Sequence, residues 1–514
     1  MTLSTSWFVS VQLPTPTLEN NMADIDRLSL YIQETLKVPY VQVAKNLFNI
    51  LPKLLRDHNY HIRCLLFSKE DLWIVLAVFP PTGPAHLFGA AIDLGSTQMA
   101  LSLVDLITGE ILQTKHMDNS QIPFGADVLT RIHHAQTLEG QAELKALVLK
   151  QLQTEMQTLC DSLEKNINDI YLVTMAGNTI MTHLFLGLET RWLIREPYIP
   201  VVNRLGTFSA SDVGFSLHPN AQIFIFPNIG SYFGGDVISG ILAVGMACQK
   251  DISVLIDIGT NAEVVLGNQD WLVACAGAAG PAMENGVSEI GMRAMVGAID
   301  YVKIHPQTLS FEYTTIGDVP PLGICGSGII DLAAQLFING LIDIRGKLVA
   351  SKCPSCIQEK NGLLTLELVP ANKSGTGQPI ELTQVDLDSL IRSKAAMYTI
   401  LETITHSVEM SPEQICRFYI AGTFGAYIRP DSAISLGMLP DLPRDIFKVV
   451  GNTSLAGAVR LLIDRDAMAE IVKIQQKITY IELNVNQDFM NRFSAAKFLP
   501  HTDTSRFPSV HWTS

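Results

Sequence analysis

Two stretches decide how this chain folds: Phe88-Gly-Ala-Ala-Ile92 running into Asp93-Leu94-Gly95-Ser96-Thr97, and Ser253-Val-Leu-Ile256 running into Asp257-Ile258-Gly259-Thr260-Asn261. In each, an apolar strand-like run ends in an Asp and a turn of Gly with small polar residues. A second strand-like run follows, at 99–106 in one and 263–266 in the other. A Gly beside a hydroxyl or amide residue lets backbone N–H groups approach a phosphate with no Cβ in the way. An Asp at the strand end suits Mg²⁺, which takes few carboxylates plus substrate phosphates. Alone, each turn reads first as an ordinary β-turn. As a pair in matching strand–turn–strand settings, they predict one supersecondary unit used twice and one nucleotide clamped between two lobes.

Working outward, the second setting continues through a Gly267-Asn268 turn into a strand at 271–275, and the first through a Thr108-Gly109 hairpin into one at 111–115. A long helix over 142–165 and a strand at 170–175 complete the first half. Long crossover helices between repeated mixed sheets give an α/β protein with two related lobes. Before them, periodicity predicts helices from Asp24 and over 41–55, the latter interrupted at Pro52, and strands at 62–67 and 72–79. This small α+β domain ends at the linker Phe79-Pro-Pro-Thr-Gly-Pro-Ala-His86. The predicted division is an extended lead-in over 1–23, a small domain over 24–86, and lobes over 87–250 and 251–514.

Further glycine-rich segments admit two readings each. Gly323-Ile-Cys-Gly326-Ser327-Gly328 precedes a helical run, and Tyr419-Ile-Ala-Gly422-Thr423-Phe-Gly425 is a strand entering a turn. Gly451-Asn-Thr-Ser-Leu-Ala-Gly-Ala458 repeats the theme. Each fits tight helix–strand packing, or a bare backbone against phosphate, ribose or adenosine. Gly177-Asn178-Thr179 and Gly234-Gly235-Asp236 also follow strand-like runs. Asp236 reads either as a group that orients water or metal, or as a helix N-cap, and Gly125-Ala-Asp127 carries the same ambiguity. Glu263 faces solvent or a neighbouring base. Ala276-Gly-Ala-Ala-Gly-Pro-Ala-Met-Glu-Asn-Gly286 is too small-sided to fill a core; it suits close approach of a flat macrocycle or partner protein, or a loose loop.

The composition sets limits. The 514 residues are 47% hydrophobic and 17% charged, with a formal net charge of −14. That balance argues for extensive buried structure and against a nucleic-acid partner. The first basic residue is Arg27, and no uninterrupted apolar run is long enough to span a bilayer. A cytoplasmic protein with no membrane partner is expected. Of eight cysteines, only Cys353-Pro-Ser-Cys356 has ligand-like spacing. With no second close pair, a local thiol pair is expected there in place of a zinc or iron–sulfur site.

Asp-x-Gly turns in two lobes with later Gly-rich turns resemble the superfamily of acetate and sugar kinases, heat-shock 70 chaperones and actin. A closer likeness rests on Gly125-Ala-Asp-Val-Leu-Thr-Arg-Ile132, Ala176-Gly-Asn-Thr-Ile-Met181, Ala278-Ala-Gly-Pro-Ala282, Gly326-Ser-Gly-Ile-Ile-Asp331 and Ala421-Gly-Thr-Phe-Gly-Ala-Tyr-Ile428. Leu436-Gly-Met-Leu-Pro440, the 451–457 stretch and Phe489-Met-Asn-Arg-Phe493 with Leu499-Pro-His501 extend it. From about Val11 onward, the chain resembles the reductive activators of corrinoid-dependent proteins. The resemblance implies a two-lobed, duplicated actin-like/RNase H-like ATPase fold preceded by a small α+β domain.

It also implies ATP-dependent return of Co(II) corrinoid to Co(I) on a protein of a methyltransferase system. ATP and Mg²⁺ are the implied cofactors. Asp93 and Asp257 would bind metal and, with Asp236, act in catalysis. Gly95, Ser96, Thr97, Gly259, Thr260 and Asn261 would meet phosphates; Gly422, Thr423 and Gly425, with Gly326, Ser327 and Gly328, the adenosine side. The 276–286 loop would lie near the docked corrinoid, and relatives suggest a homodimer. Two departures stand out. The family usually begins with a plant-type [2Fe–2S] domain, whereas no cysteine precedes Cys64 here, so no iron–sulfur cluster is expected in these residues and a separate ferredoxin-like electron donor is. Residues 276–277 also lack the hydroxyl side chains expected before Ala278. The rival expectations are a non-redox ATP-binding sensor or chaperone of corrinoid proteins, and a small-molecule kinase.

Overall fold

The computed structural model describes residues 5–125, 127–259, 261–277, 290–422, 425–483 and 486–513. It divides into two compact units, one of Met1–Val244 with Thr453–Gln476, the other of Gly245–Asn452 with Lys477–Ser514. Each is a mixed α/β body.

The first unit opens with a four-stranded sheet in the order Phe8–Gln12, His61–Lys69, Leu72–Phe79, Tyr40–Val43. Its first strand lies inside the expected lead-in, pairing antiparallel with the third-strand segment from Leu65 to His61. Pro14 and Pro16, which cannot donate to a ladder, follow that strand. The expected helix over 41–55 is corrected. Tyr40–Val43 is a strand parallel to Leu72–Val75, and the helix is only Leu51–Asp57. Val41 and Val43 alternate with polar residues at period two, and Pro52 sits in the helix's first turn, where a missing N–H costs nothing. Helix Asp24–Leu36 buries Leu28 and Ile32 and stops at Lys37, whose φ of 56° is left-handed.

The main sheet of this unit runs Ile111–Asp118, Gln98–Asp105, Phe88–Leu94, Ile170–Gly177, Gln222–Ile225, Gly206–Ser209. Three antiparallel strands in reverse sequence order are thus followed by two parallel ones. The second unit repeats this arrangement with Leu272–Gly277, Ala262–Gly267, Ser253–Ile258, Arg417–Ala421 and Phe447–Gly451. The duplication expected from the two Asp turns is therefore present over five strands of each six-stranded sheet; the sixth is Gly206–Ser209 beside Gln222–Ile225 in one and Ile478–Ile481 beside Leu272–Gly277 in the other. Two three-stranded sheets, built from residues 298–324 and 357–383, enlarge the second unit.

Two successive helices, Thr453–Ile463 and Asp466–Lys477, depart from the linear division at residue 250. Thr453–Ile463 packs in the first unit, on strands Phe88–Leu94 and Ile170–Gly177 and on helix Gly235–Val244. Its small residues permit the contact: a Cβ on Gly457 would lie 2.0 Å from the Ser239 carbonyl oxygen. Thr174 Oγ1 donates to the Ala458 carbonyl at 2.8 Å, and the buried Trp7 indole donates to the Leu461 carbonyl at 2.7 Å.

The second unit is braced by helix Gln384–Ser407, which starts with a reciprocal Thr383/Asp386 capping box. Its Lys394 is buried and donates to three backbone carbonyls, Ala496 at 2.5 Å, Phe498 at 2.7 Å and Pro500 at 2.7 Å. Cys353 and Cys356 form a disulfide across a short turn. Among the described residues, no helix is long and apolar enough to cross a membrane.

Candidate functional site

In the first unit, strand Phe88–Leu94 ends with Asp93 registered against Ala176 of the parallel strand and Ala100 of the antiparallel one. The following turn is tight. A Cβ on Gly95 would lie 2.0 Å from the Gln98 carbonyl oxygen, so this position requires glycine. Asn119 holds the turn from below: its Nδ2 donates to the Gly95 carbonyl at 2.8 Å, and its backbone N–H donates to the Thr97 carbonyl at 2.9 Å. Ser96 and Thr97 remain half-buried.

Two helix starts converge beside this strand end. Asn178 caps helix Thr179–Leu186, accepting from Met181 N–H at 2.9 Å. A Cβ on Gly177 would lie 2.9 Å from Leu94 Cβ, and one on Gly234 would lie 2.4 Å from Asn178 Cα. The glycines thus bring Asn178 and the start of helix Gly235–Val244 together at the carboxyl ends of the parallel strands, where ligands of open α/β sheets bind.

Asp236 lies in the first turn of that helix and is not its N-cap; its carboxylate accepts from Val237 N–H at 2.9 Å. Burial pushes its carboxyl up from the ordinary 3.8 to about 7; the Val237 hydrogen bond opposes this and the charge of Asp93 adds to it. Ser454, at the start of helix Thr453–Ile463, donates its hydroxyl to Asp93 Oδ1 at 2.7 Å. The Ser454 carbonyl in turn accepts from Ser239 Oγ at 2.7 Å. Among the described residues, the adjacent buried Thr453 hydroxyl has no hydrogen-bond partner. Asp93, Asp236 and Ser454 therefore form one acidic group, with Ser454 buried and both carboxylate residues partly exposed. A divalent cation relieves such a carboxylate pair, and a carboxyl near pH 7 exchanges protons readily with a bound water.

The sign of the Asp236 shift gives a first prediction. An acid whose folded pKa exceeds its unfolded value favours the fold when protonated. Its contribution is intact below about pH 4 and is lost, at about 1.4 kcal/mol per pH unit, as pH rises toward 7. Asp236→Asn removes this dependence, so its melting temperature should exceed that of the parent increasingly between pH 5 and 7.5. A constant gap across that range would contradict the assignment. Ser454→Ala, which leaves both carboxylates in place, should lower ATPase turnover by about tenfold with little change in melting temperature.

In the second unit, Asp257 occupies the matching strand end and lies directly opposite Glu263 across an antiparallel pair. Glu263 thus has a carboxylate neighbour on the same sheet face. Gly259 N–H donates to the Asn261 carbonyl at 2.9 Å. Among the described residues, only that oxygen approaches the place of a Gly259 Cβ, at 3.8 Å, so this turn leaves room that Gly95 does not. Gly422, at φ 89°, abuts the same aspartate: a Cβ there would lie 2.6 Å from Asp257 Oδ1 and 2.4 Å from the Ile258 carbonyl oxygen. The structure thereby joins Asp257 to the Gly422 turn. Gly422→Ala should weaken nucleotide binding at least about tenfold, since both φ and space exclude a side chain; titration with a fluorescent ATP analogue reads it.

Gly326, Ser327 and Gly328 are not a loop before a helix but the buried first turn of helix Gly326–Ile338. Gly328 is accounted for by packing, because a Cβ would lie 2.4 Å from the Ile299 carbonyl oxygen. Asp127 is an N-cap, accepting from Thr130 N–H at 2.9 Å. Thr260, Thr423 and most of the 276–286 loop fall outside the described residues. Sequence reading missed Ser454 and Asn119. Asn119 carries no local signal, whereas Ser454 lay within the recognised 451–457 stretch and lacked only its partner.

Known proteins share this architecture and these segments. Residues 251–511 match the C-terminal domain of RACo, the ASKHA domain; 88–249 match the RACo middle region and 4–82 the RACo linker region. A solved structure titled "Reductive activator for corrinoid,iron-sulfur protein" is 40% identical, with a TM-score of 0.86 over 98% of this chain and 81% of that one. The corrinoid activation enzyme RamQ of Eubacterium limosum is 29% identical over 485 residues, covering 91% of this chain and 79% of that protein. The [Co(II) methylated amine-specific corrinoid protein] reductase of Methanosarcina barkeri is 26% identical over 436 residues, covering 79% and 76%. With the middle and ASKHA regions arranged around duplicated Asp turns, the chain belongs to the RACo family of reductive activators.

Proposed function

We propose that this protein uses ATP to reactivate a corrinoid protein of a methyltransferase system, returning Co(II) to Co(I). The observation that carries this reading is the correspondence with a reductive activator at 40% identity over 98% of the chain. The local geometry agrees with the ATP part: a half-buried carboxylate pair with a hydroxyl in the first unit, and an aspartate against a glycine in the second. Asp93 and Asp236 in the first unit would hold Mg²⁺, which neutralises the phosphates of ATP, and Asp257 is the corresponding carboxylate of the second unit. Asp236, with its pKa near neutrality, takes up or releases a proton as the phosphate charge arrives.

Reducing Co(II) is uphill, and each 100 mV of unfavourable potential costs about 2.3 kcal/mol per electron. ATP drives such a step only by binding two states of the activator differently, one of which holds the corrinoid protein in a reducible form. The single electron comes from a separate ferredoxin-like [2Fe–2S] protein, whose cluster is oxidised by one electron for each Co(I) formed.

The test mixes the purified chain with a Co(II) corrinoid protein, Mg-ATP and a low-potential reductant, with and without a [2Fe–2S] protein, and follows Co(I) absorbance. ATP-dependent Co(I) formation that requires the added protein supports the proposal. Corrinoid-protein binding without reduction in either mixture would replace it by a sensor or chaperone role.

A further inference from the structure

Ser96 and Thr97 form the corner of the hairpin between strands Phe88–Leu94 and Gln98–Asp105, and residues 95–98 are all half-buried. Asn119, beneath this corner, is only 1% exposed. Besides its two donations to the Gly95 and Thr97 carbonyls, its Oδ1 accepts from the Gln121 N–H at 2.9 Å, so the NH₂ end of the amide must face Gly95. The segment around it is fastened to the long helix Leu138–Ser162. Gln121 is buried and donates Nε2 to the Leu144 carbonyl at 2.9 Å. The Gln151 amide grips the backbone on both sides of Asn119, donating to the Asp118 carbonyl at 2.7 Å and accepting from the Ser120 N–H at 2.9 Å. Peptide geometry carries this brace into the corner. In a planar trans peptide, the C=O and the following N–H point in opposite directions. With the Gly95 carbonyl turned to Asn119, the Ser96 N–H points away from it. Among the described residues, the Ser96 and Thr97 N–H groups meet no acceptor.

We propose that Asn119 is a positioning residue which, braced by Gln121 and Gln151, turns the Ser96 N–H and the Ser96–Thr97 corner to receive a phosphate of ATP. The inference rests on the nucleotide reading above and deepens it, naming residues that set the geometry of this corner without touching the ligand. A donor already turned toward its anion needs no reorganisation on binding, and displacements near 1 Å are enough to cost substantial affinity. A buried amide suits the task. It is neutral, so it adds no charge that competes with phosphate, and its donor and acceptor ends are held by different partners.

The experiment titrates the full chain with Mg-ATP and follows amide hydrogen exchange over residues 95–98 with and without it. In the parent, Mg-ATP should slow exchange there at least about tenfold. Asn119→Ala should weaken Mg-ATP binding at least about tenfold, and leave exchange at 95–98 faster than in the parent even at saturation. Ser102→Ala is the control: on the same hairpin it removes a side-chain hydrogen bond, to Thr114 Oγ1 at 2.7 Å, without touching the corner. It should bind Mg-ATP within about twofold of the parent. Gln151→Ala, at a half-buried position, should weaken binding about threefold and decides the matter if Asn119→Ala does not fold. Unchanged affinity in the variant that decides, or an equal loss in Ser102→Ala, would overturn the positioning role. So would Mg-ATP binding to the parent that leaves exchange at 95–98 unaltered. A parent chain that does not bind Mg-ATP would instead overturn the nucleotide reading itself.

Discussion

Asp93→Asn should reduce ATP-dependent Co(I) formation by about 10²–10³-fold, the scale on which removing one preorganised charge acts in a buried site. Asp93 ends a strand whose neighbours on both sides are in register with it, and Ser454 fixes its Oδ1 at 2.7 Å. The amide fills the same space but brings no charge to a metal or phosphate site. Because the Asp93 charge helps raise the Asp236 carboxyl, the substitution should also let Asp236 ionise at lower pH. The variant is therefore expected to fold at least as stably as the parent near neutral pH while losing activity. Paired measurements of turnover and melting temperature check this. Lost stability in parallel with lost activity would mean that Asp93 serves the fold and not the chemistry.

Lys394→Met should destabilise the second unit by about 3–5 kcal/mol, the range for removing one partner of a buried charged network. Burial pushes the Lys394 amine well below the usual lysine range. Three carbonyls nevertheless accept from it, and a neutral amine has only two N–H donors. The contacts thus describe an ammonium held by backbone dipoles. Methionine retains an unbranched stem as far as the ε position and leaves the Ala496, Phe498 and Pro500 carbonyls without their donor. Chemical denaturation followed by probes in each unit should show an earlier transition for the second unit alone. A change below about 1 kcal/mol would show that water replaces the ammonium at little cost.

The parts of this protein that were legible in its sequence are those governed by neighbours along the chain. Alternating apolar runs and Gly-bearing turns predicted the strands that end at Asp93 and Asp257 and, from their matching order, the duplication. Val41 to Leu55 misled because Val43, Ala44, Leu47, Phe48 and Leu51 follow helical spacing, while Val41 and Val43 alternate as a strand that pairs with Leu72–Val75. The Gly326–Gly328 stretch was recognisable as special, but whether glycine serves a ligand or a close strand depended on the Ile299 carbonyl, a residue from another sheet. Ser454, Asn119 and Lys394 were silent for the same reason. Their roles are set by partners far away in sequence, and a lone Ser, Asn or Lys carries no mark of such a partner.

The return of Thr453–Ile463 to the first unit bears on the order in which this chain is made. A ribosome releases residues 1–244 long before it reaches residue 453. Until then, the Trp7 indole, the Thr174 hydroxyl and the face of helix Gly235–Val244 around Ser239 wait without the groups that satisfy them. The nascent first unit must therefore persist as an unfinished body, with an apolar seam open, while the whole second sheet is translated. Biogenesis, rather than catalysis, is where this protein should most need a chaperone's company, and cutting the gene near codon 250 should yield two insoluble halves.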